Sequence, residues 1–169
     1  YSGMAHGIGA SKHPVMQLDT ISKQLRSHGV VTVTIDSLFL LPFCRESAAT
    51  CHIPRGESLD LTPQPALTPQ RAALFLARIH DAGYFFADME AANLLVHNNR
   101  LALLDPLCLL SRKKVGNPTR LADLSHLNEL LGYDKEGHSQ CIADYLHASQ
   151  SADTAELSAL AQPVRAASV

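Results

Sequence analysis

Hydrophobic residues follow a helical period in several parts of the chain. In residues 68–83, Thr68 is a candidate N-cap, Pro69 fits the first helical position and Gly83 fits the position after the last turn. One face of this predicted helix is apolar and consists of Ala72, Phe75, Leu76 and Ile79. The same reasoning predicts a helix from Pro14 to about residue 28, and another that follows Asn117 as its N-cap and is closed by Gly132. Further helices are predicted around 141–146 and, more weakly, over 155–161.

Shorter apolar runs between turn-forming residues predict β-strands. Three of them come early in the chain, at 30–35, 38–43 and 48–53, with a turn at 44–47. Two more, at 94–96 and 101–104, flank Asn98 and Asn99, and asparagine tolerates the positive φ of a tight hairpin turn. Helices mixed with short strands predict an α+β fold.

Composition excludes several classes of protein. The 169 residues suit one domain, and the net charge of -2 gives no basic footprint for nucleic acid. No apolar run approaches the roughly 20 residues that span a bilayer, and no signal-peptide pattern opens the chain. The four cysteines lack the paired spacing of a zinc ribbon or a disulfide framework. We therefore expect a soluble protein of a reducing cytoplasm.

The strongest chemical signal is the order Asp88, Asn93 and Asp105. Asp88 and Asn93 would lie in the loop between the helix and the hairpin, and Asp105 follows the second hairpin strand. In phosphotransferases with this spacing, the first Asp accepts a hydroxyl proton, and the Asn and second Asp bind metal. The plainer alternatives are a loop carboxylate or cap for Asp88, a backbone-bonding role for Asn93 and a turn start for Asp105.

This order of helix, loop, hairpin and Asp resembles the C-terminal lobe of the protein-kinase-like fold. Residues 76–88 are similar to the small bacterial lipopolysaccharide-core (Kdo/heptose) kinases and their toluene-tolerance-type relatives. Residues 25–33 resemble the helix-to-strand step of that group, and 51–59 resemble its hinge between lobes. The resemblance covers about 15–131.

The resemblance implies one kinase-like domain with a helical C-lobe and a truncated or curtailed N-lobe sheet. Residues 15–56 would form the partial N-lobe and hinge, 57–150 the C-lobe and 151–169 a tail. It also implies ATP and Mg as cofactors, and a lipopolysaccharide-core sugar as acceptor. Peripheral association with the inner face of the inner membrane would give access to that acceptor. The hinge residues expected to meet the adenine are Cys51, His52, Ile53 and Pro54.

The chain also departs from the kinase pattern. Phe86 and Ala87 replace the usual His and Arg before the catalytic Asp, and Pro106 follows Asp105 where Phe is usual. Gly7, Gly9 and Lys12 are a weak candidate for a phosphate loop, and a flexible leader ahead of the first helix is the plainer alternative. No convincing strand lysine follows. Either the chain is a fragment, or it is a pared-down kinase. Two functions stay open, an active phosphotransferase and a non-catalytic, pseudokinase-like binding or regulatory module.

Other polar residues carry weaker signals. The basic cluster Arg112, Lys113 and Lys114, with Arg120 beyond it, fits a solvated charge run or a grip on an anionic substrate. The nine histidines show no metal-binding pair. We expect most of them to be surface or capping residues.

Overall fold

The computed structural model describes residues 14–40, 47–59, 67–150 and 152–161. These residues form an α+β fold, as expected from the sequence. Its helices are α1 (Pro14–Ser27), α2 (Pro69–Asp81), α3 (Asn117–Leu131), α4 (Lys135–Ala148) and α5 (Thr154–Ala161). Its strands are β1 (Val31–Thr32), β2 (Thr34–Leu40), β3 (Ser47–His52), β4 (Glu57–Ser58), β5 (Tyr84–Phe86), β6 (Leu94–His97), β7 (Arg100–Leu103) and β8 (Leu109–Ser111).

Helix α2 matches its prediction closely. Thr68 precedes it in an extended conformation, and Pro69 occupies the first turn. Gly83 follows with φ of +83°, in the left-handed region that favours glycine. The buried face is wider than the predicted apolar face, because Ala73, Ala77 and His80 are buried as well. The helix therefore packs against neighbours on more than one side.

The hairpin of β6 and β7 is also confirmed. Asn98 and Asn99 have φ of +48° and +57°, as a two-residue hairpin turn requires. The strands pair antiparallel from His97 opposite Arg100 to Leu94 opposite Leu103. Their sheet has the order β1–β7–β6–β4, in which β1 runs parallel to β7. The hairpin thus holds the centre of the sheet.

The early strands differ from their predicted bounds. The first run breaks at Val33, and β2 continues through Asp36 and Ser37, where a strand end was predicted. Pairing with β3 sustains it there, with an irregular register between Ile35 and Ser37. The predicted turn at 44–47 and the end of the second strand fall largely outside the described residues. The antiparallel pair β5–β8 was not predicted, because three-residue strands show no period.

Helix α3 begins one residue earlier than predicted. Gly116 occupies the N-cap position, and Asn117 lies inside the first turn. The Asn117 amide instead donates to the Asp153 carbonyl and to Glu156 Oε2, both at 2.9 Å, and so ties α3 to α5. Gly132 ends α3 with φ of +66°, as the sequence indicated.

A single hydrophobic core joins the early and late parts of the described chain. Ile21, Leu25 and Val30 pack in the same cluster as α2, the hairpin and α3. Helix α4 adds Cys141 and Tyr145 to it. None of the described helices is long and apolar enough to cross a membrane.

Candidate active site

Two loops meet at the open end of the β6–β7 hairpin. The Ala87 N–H donates to the Cys108 carbonyl at 3.3 Å, and the Leu104 N–H donates to the Asn93 carbonyl at 2.9 Å. These bonds lie next to Asp88 on one loop and Asp105 on the other. The backbone therefore brings the predicted residues Asp88, Asn93 and Asp105 to one edge of the fold.

The Asp105 carboxylate is exposed and held in place. Its Oδ1 accepts a hydrogen bond from the Leu107 N–H at 2.9 Å, which caps a short 3-10 turn over Pro106–Cys108. Pro106 is buried and has no N–H to donate. This bond uses one carboxylate oxygen of Asp105 in a structural role, which is the turn-start role that the sequence left open.

The loop of Asp88 is anchored by its apolar neighbour. Met89 is 2% exposed, whereas Asp88 and Glu90 on either side are exposed. The Asn93 N–H donates to the Glu90 carbonyl at 3.0 Å and closes a 3-10 turn over Ala91–Asn93. The loop therefore buries Met89 and presents the carboxylates of Asp88 and Glu90 to solvent.

Cys108 is half-buried and follows Asp105 in the second loop. Burial raises its pKa to about 12, and the negative charges of Asp105, Glu90 and Asp88 act in the same direction. The thiol is consequently protonated at neutral pH, so Cys108 is not an activated nucleophile. Asp88, Glu90 and Asp105 are the carboxylates of this edge, which we call the acidic edge, and Glu90 is a member that the sequence analysis missed.

A chain of buried hydrogen bonds lies behind this acidic edge. The Phe86 N–H donates to Asp123 Oδ2 at 3.1 Å, two residues before Asp88. The same carboxylate oxygen contacts His80 Nε2 at 3.0 Å, and His80 Nδ1 contacts the Tyr145 hydroxyl at 2.7 Å. Asp123 therefore fixes the backbone from which the Asp88 loop departs.

The direction of these bonds follows from their chemistry. The Arg120 guanidinium can only donate, and it donates to the Tyr145 hydroxyl. The hydroxyl then donates to His80 Nδ1, and His80 Nε2–H donates to Asp123. These donor and acceptor directions fit a neutral His80 imidazole. The hydrogen bonds connect α4, α2 and α3.

Arg120 is fully buried and has further partners. Its Nε donates to the Val115 carbonyl at 2.9 Å and its guanidinium to Ser149 Oγ at 3.0 Å. It also lies 3.9 Å from Asp81 Oδ1, which accepts from Ser149 Oγ at 2.8 Å. The expectation that Arg120 belongs to the exposed basic cluster is wrong, because its charge is neutralised and hydrogen-bonded inside the protein.

His80 likewise departs from the expected surface or capping role of the histidines. Burial lowers the pKa of His80 below its usual value, although the hydrogen bond to Asp123 acts in the opposite direction. The imidazole is therefore neutral at pH 7. Sequence offered one signal, namely the position of His80 next to Ile79 and Leu76 on the apolar side of α2.

The predicted hinge forms the end of β3. Cys51 pairs with Ile35 and His52 with Thr34, and Ile53 is 53% exposed just beyond them. Pro54 is half-buried. Within the described part of the chain, no hydrogen bond joins this segment to the acidic edge. The hinge residues and the three loop residues are thus placed by separate elements.

The remaining basic cluster is exposed. Arg112, Lys113 and Lys114 follow β8 at the surface. The Arg112 guanidinium lies 5.0 Å from the centre of the Phe85 ring, a distance typical of a cation–π contact. This contact directs Arg112 along β5. The two lysines remain candidates for either the solvated or the anion-binding role.

The acidic edge suits Mg²⁺ in its donor chemistry. Asp88 and Asp105 offer carboxylate oxygens and Asn93 offers an amide oxygen, which are hard ligands of the kind that Mg²⁺ prefers. The described residues include no ready-made group of three or more His, Cys, Asp or Glu side chains for a metal. Mg²⁺ commonly binds through one or two carboxylates together with substrate phosphates and waters, so the residues fit a nucleotide-bound ion.

Comparison with known proteins adds no relative. No family model matches this sequence, and no curated protein matches it. We therefore infer the function from the geometry of the described residues and from the resemblance in the motif.

Proposed function

We propose that the protein is a Mg²⁺- and ATP-dependent phosphotransferase with a protein-kinase-like fold. The observation that supports this best is the pair of backbone hydrogen bonds from Ala87 to Cys108 and from Leu104 to Asn93. They join the loop that carries Asp88 and Asn93 to the segment that carries Asp105, and these three residues fit the spacing of a phosphotransfer motif.

Each side chain has a distinct role in this proposal. Asp88 orients the acceptor hydroxyl and accepts its proton, while Asn93 and Asp105 hold the metal ion. The metal supplies neutralisation of the phosphate charge. Asp123 acts as a positioning residue, since its bond to the Phe86 N–H fixes the start of the Asp88 loop. Positioning and charge neutralisation account for most of the rate in reactions of this type.

The finer parts of the proposal come from the resemblance. Cys51, His52, Ile53 and Pro54 would meet the adenine of ATP, and the first three of them are exposed and so accessible to a ligand. The acceptor would be a sugar hydroxyl of the lipopolysaccharide core. The protein would then work in the cytoplasm at the inner face of the inner membrane.

A comparison of amide substitutions tests the roles. Asp105→Asn is expected to abolish Mg²⁺-dependent ATP turnover, and Asp88→Asn to reduce it about 10²–10⁴-fold. Asp105 is more critical because other groups can orient a hydroxyl, whereas phosphate charge needs the metal. Glu129→Gln is the matched control, because Glu129 is exposed on α3 and carries no role here. Turnover is measured over a Mg²⁺ titration, with and without sugar acceptors.

Wild-type turnover and Mg²⁺ dependence in Asp105→Asn would refute the site.

A nucleotide-protection experiment tests the hinge separately, because Cys51 is exposed and free. Mg·ATP is expected to slow alkylation of Cys51, as measured by mass spectrometry. Equal alkylation with and without a bound nucleotide would place the adenine elsewhere.

The second candidate is a non-catalytic binding or regulatory module. The observation that favours it is the Oδ1 bond of Asp105 to the Leu107 N–H, since this cap gives the carboxylate a structural role without catalysis. Nucleotide binding without turnover in any acceptor mixture would support this candidate over the phosphotransferase.

A further inference from the structure

A groove lined by arginines lies away from the acidic edge. It has a volume of about 480 Å³, within the range of roughly 300–1,000 Å³ typical of small-molecule sites. Its wall contains Arg71 and Arg78 of α2 and Arg100 of β7. A smaller cavity of about 340 Å³ also includes Arg71 and Arg100, so the two cavities adjoin.

The groove and the acidic edge lie at opposite ends of the hairpin. Arg100 adjoins the hairpin turn, whereas Asn93 and Leu104 mark its open end. Four residues of strand separate them, which corresponds to roughly 13 Å. None of Asp88, Asn93 and Asp105 lines the groove. The groove is therefore separate from the proposed phosphotransfer site.

Two of the arginines are held in place by backbone carbonyls. The Arg71 guanidinium donates to the carbonyls of Asn98 at 3.2 Å and Asn99 at 2.6 Å, which ties α2 to the hairpin turn. The Arg78 guanidinium donates to the Gly29 carbonyl at 2.9 Å, beyond the end of α1. A guanidinium has five N–H donors, so both side chains are fixed in position and keep donors for another group.

Arg100 differs from these two arginines. Its side chain is exposed, and the guanidinium makes no hydrogen bond or ion pair with another described side chain or carbonyl. The groove has one described carboxylate, that of Asp144, whose Oδ1 accepts from Gln140 Nε2 at 3.0 Å. Three guanidinium groups against one carboxylate leave the groove with an excess of positive charge. Arginine matches phosphate and carboxylate groups through paired N–H donors.

The same groove exposes apolar surface. Leu74 is 36% exposed and Val31 is 38% exposed, and both line it beside the buried Phe75. Arg71, Leu74 and Arg78 are three and four positions apart, so they lie along one face of α2. An apolar strip between two fixed arginines is complementary to a molecule that has both an anionic group and a hydrocarbon part.

We propose that this groove binds an amphipathic anion, in which a phosphate or carboxylate group is joined to an apolar chain. The arginines contact the anionic group, and Leu74 and Val31 contact the chain. A free metabolite and an anionic lipid share this chemistry. The proposal stands on the groove alone and does not require phosphotransfer activity.

Calorimetry with hexyl phosphate tests the proposal. Hexyl phosphate is expected to bind at least about tenfold more tightly than inorganic phosphate, because its methylenes become buried. Arg100→Gln is expected to weaken its binding by about tenfold, as befits loss of a charged hydrogen bond. Arg55→Gln is the matched control, since Arg55 is equally exposed and does not line the groove. Added salt should weaken the wild-type affinity.

Arg100→Gln leaves the structural bonds of Arg71 and Arg78 intact, and thermal unfolding checks that it folds normally. Equal affinity of wild type and Arg100→Gln for hexyl phosphate, or equal affinity for inorganic phosphate and hexyl phosphate, overturns the proposal.

Vesicles of phosphatidylcholine with and without phosphatidic acid distinguish a lipid ligand from a free metabolite. Binding to both hexyl phosphate and the acidic vesicles indicates a lipid, and binding to hexyl phosphate alone indicates a metabolite. Binding to vesicles alone overturns the groove as the site.

Discussion

At the scale of single residues, the buried polar groups decide how the Asp88 loop is held. Tyr145 is fully buried, and its hydroxyl accepts from Arg120 and donates to His80. A buried donor or acceptor that loses its partner costs about 1–3 kcal/mol, more than a typical bond contributes. The network therefore stabilises the fold mainly by leaving no member without a partner.

Tyr145→Phe tests this view of the network. The change leaves His80 Nδ1 without a donor and removes an acceptor from Arg120, so we expect a loss of about 2–4 kcal/mol in the free energy of unfolding. Tyr133→Phe is the matched control, because the half-buried Tyr133 donates one bond, to the Leu67 carbonyl. We expect Tyr133→Phe to lose about 1 kcal/mol in the free energy of unfolding. Urea denaturation measures the loss for each variant. Equal losses would contradict the view that the buried network makes Tyr145 more important for stability than Tyr133.

His80 gives the stability a dependence on pH. Its pKa is lowered by burial in the folded state and returns to about 6.5 on unfolding. The unfolded state then binds more protons below that value, so the free energy of unfolding should fall as the pH drops below about 6.5. Chemical denaturation from about pH 8 to about pH 5 measures this slope of the free energy of unfolding against pH.

His80→Gln is the control for this pH dependence. Glutamine has no charge to gain, so the variant should be less stable at pH 7 yet lose stability less steeply on acidification. A variant with the wild-type slope would assign the pH dependence to other groups.

At the scale of elements, glycines after two helices set where the chain turns. Gly83 and Gly132 both have positive φ, at +83° and +66°. A Cβ on Gly83 would lie 2.9 Å from the Arg112 carbonyl oxygen, whereas one on Gly132 would meet nothing within 4 Å. The turn after α2 is therefore restricted by conformation and by a neighbouring strand end, and the turn after α3 by conformation alone.

The matched pair Gly83→Ala and Gly132→Ala separates these two effects. Gly132→Ala should cost about 1–2 kcal/mol in the free energy of unfolding, the penalty of a left-handed alanine. Gly83→Ala should cost more, because β8 must also move and the bond from the Arg112 N–H to the Gly83 carbonyl at 2.8 Å is disturbed. Urea denaturation measures the loss for each variant. An equal loss would show that β8 moves away from a Cβ at position 83 without a cost in free energy.

At the scale of the whole molecule, the buried apolar residues are unevenly distributed over the described elements. The described core draws on α1, α2, the β6–β7 hairpin, α3 and α4, while no described side chain of β2 or β3 belongs to it. Contacts between α1 and these two strands connect them to the rest. Segments with few buried apolar contacts open locally at lower free energy than the core.

Amide hydrogen exchange should follow this division. The paired amides of β2 and β3 are expected to exchange faster than those of α2, whose buried face includes Phe75, Leu76 and Ile79. Mass spectrometry of peptic fragments from the native protein measures both. Equal protection of β3 and α2 would mean that the strand pair unfolds only with the whole molecule.

Sequence alone determined the features that depend on neighbouring residues. Pro69 and Gly83 bounded α2, and Asn98 and Asn99 placed the hairpin turn, because φ preferences act within a few positions. The spacing of Asp88 and Asn93 likewise singled out the loop that meets Asp105 at the hairpin's open end.

Tertiary structure decided the partners of buried polar groups. His80 and Tyr145 are 65 positions apart, and Phe86 and Asp123 are 37 apart. Hydrophobic periodicity locates a face but does not identify which polar side chain on it finds a partner, so Arg120 looked like part of a surface cluster. The arginine groove depends in the same way on packing between α2 and the hairpin. Long-range contacts placed these groups, since a buried charge or donor without a partner is costly.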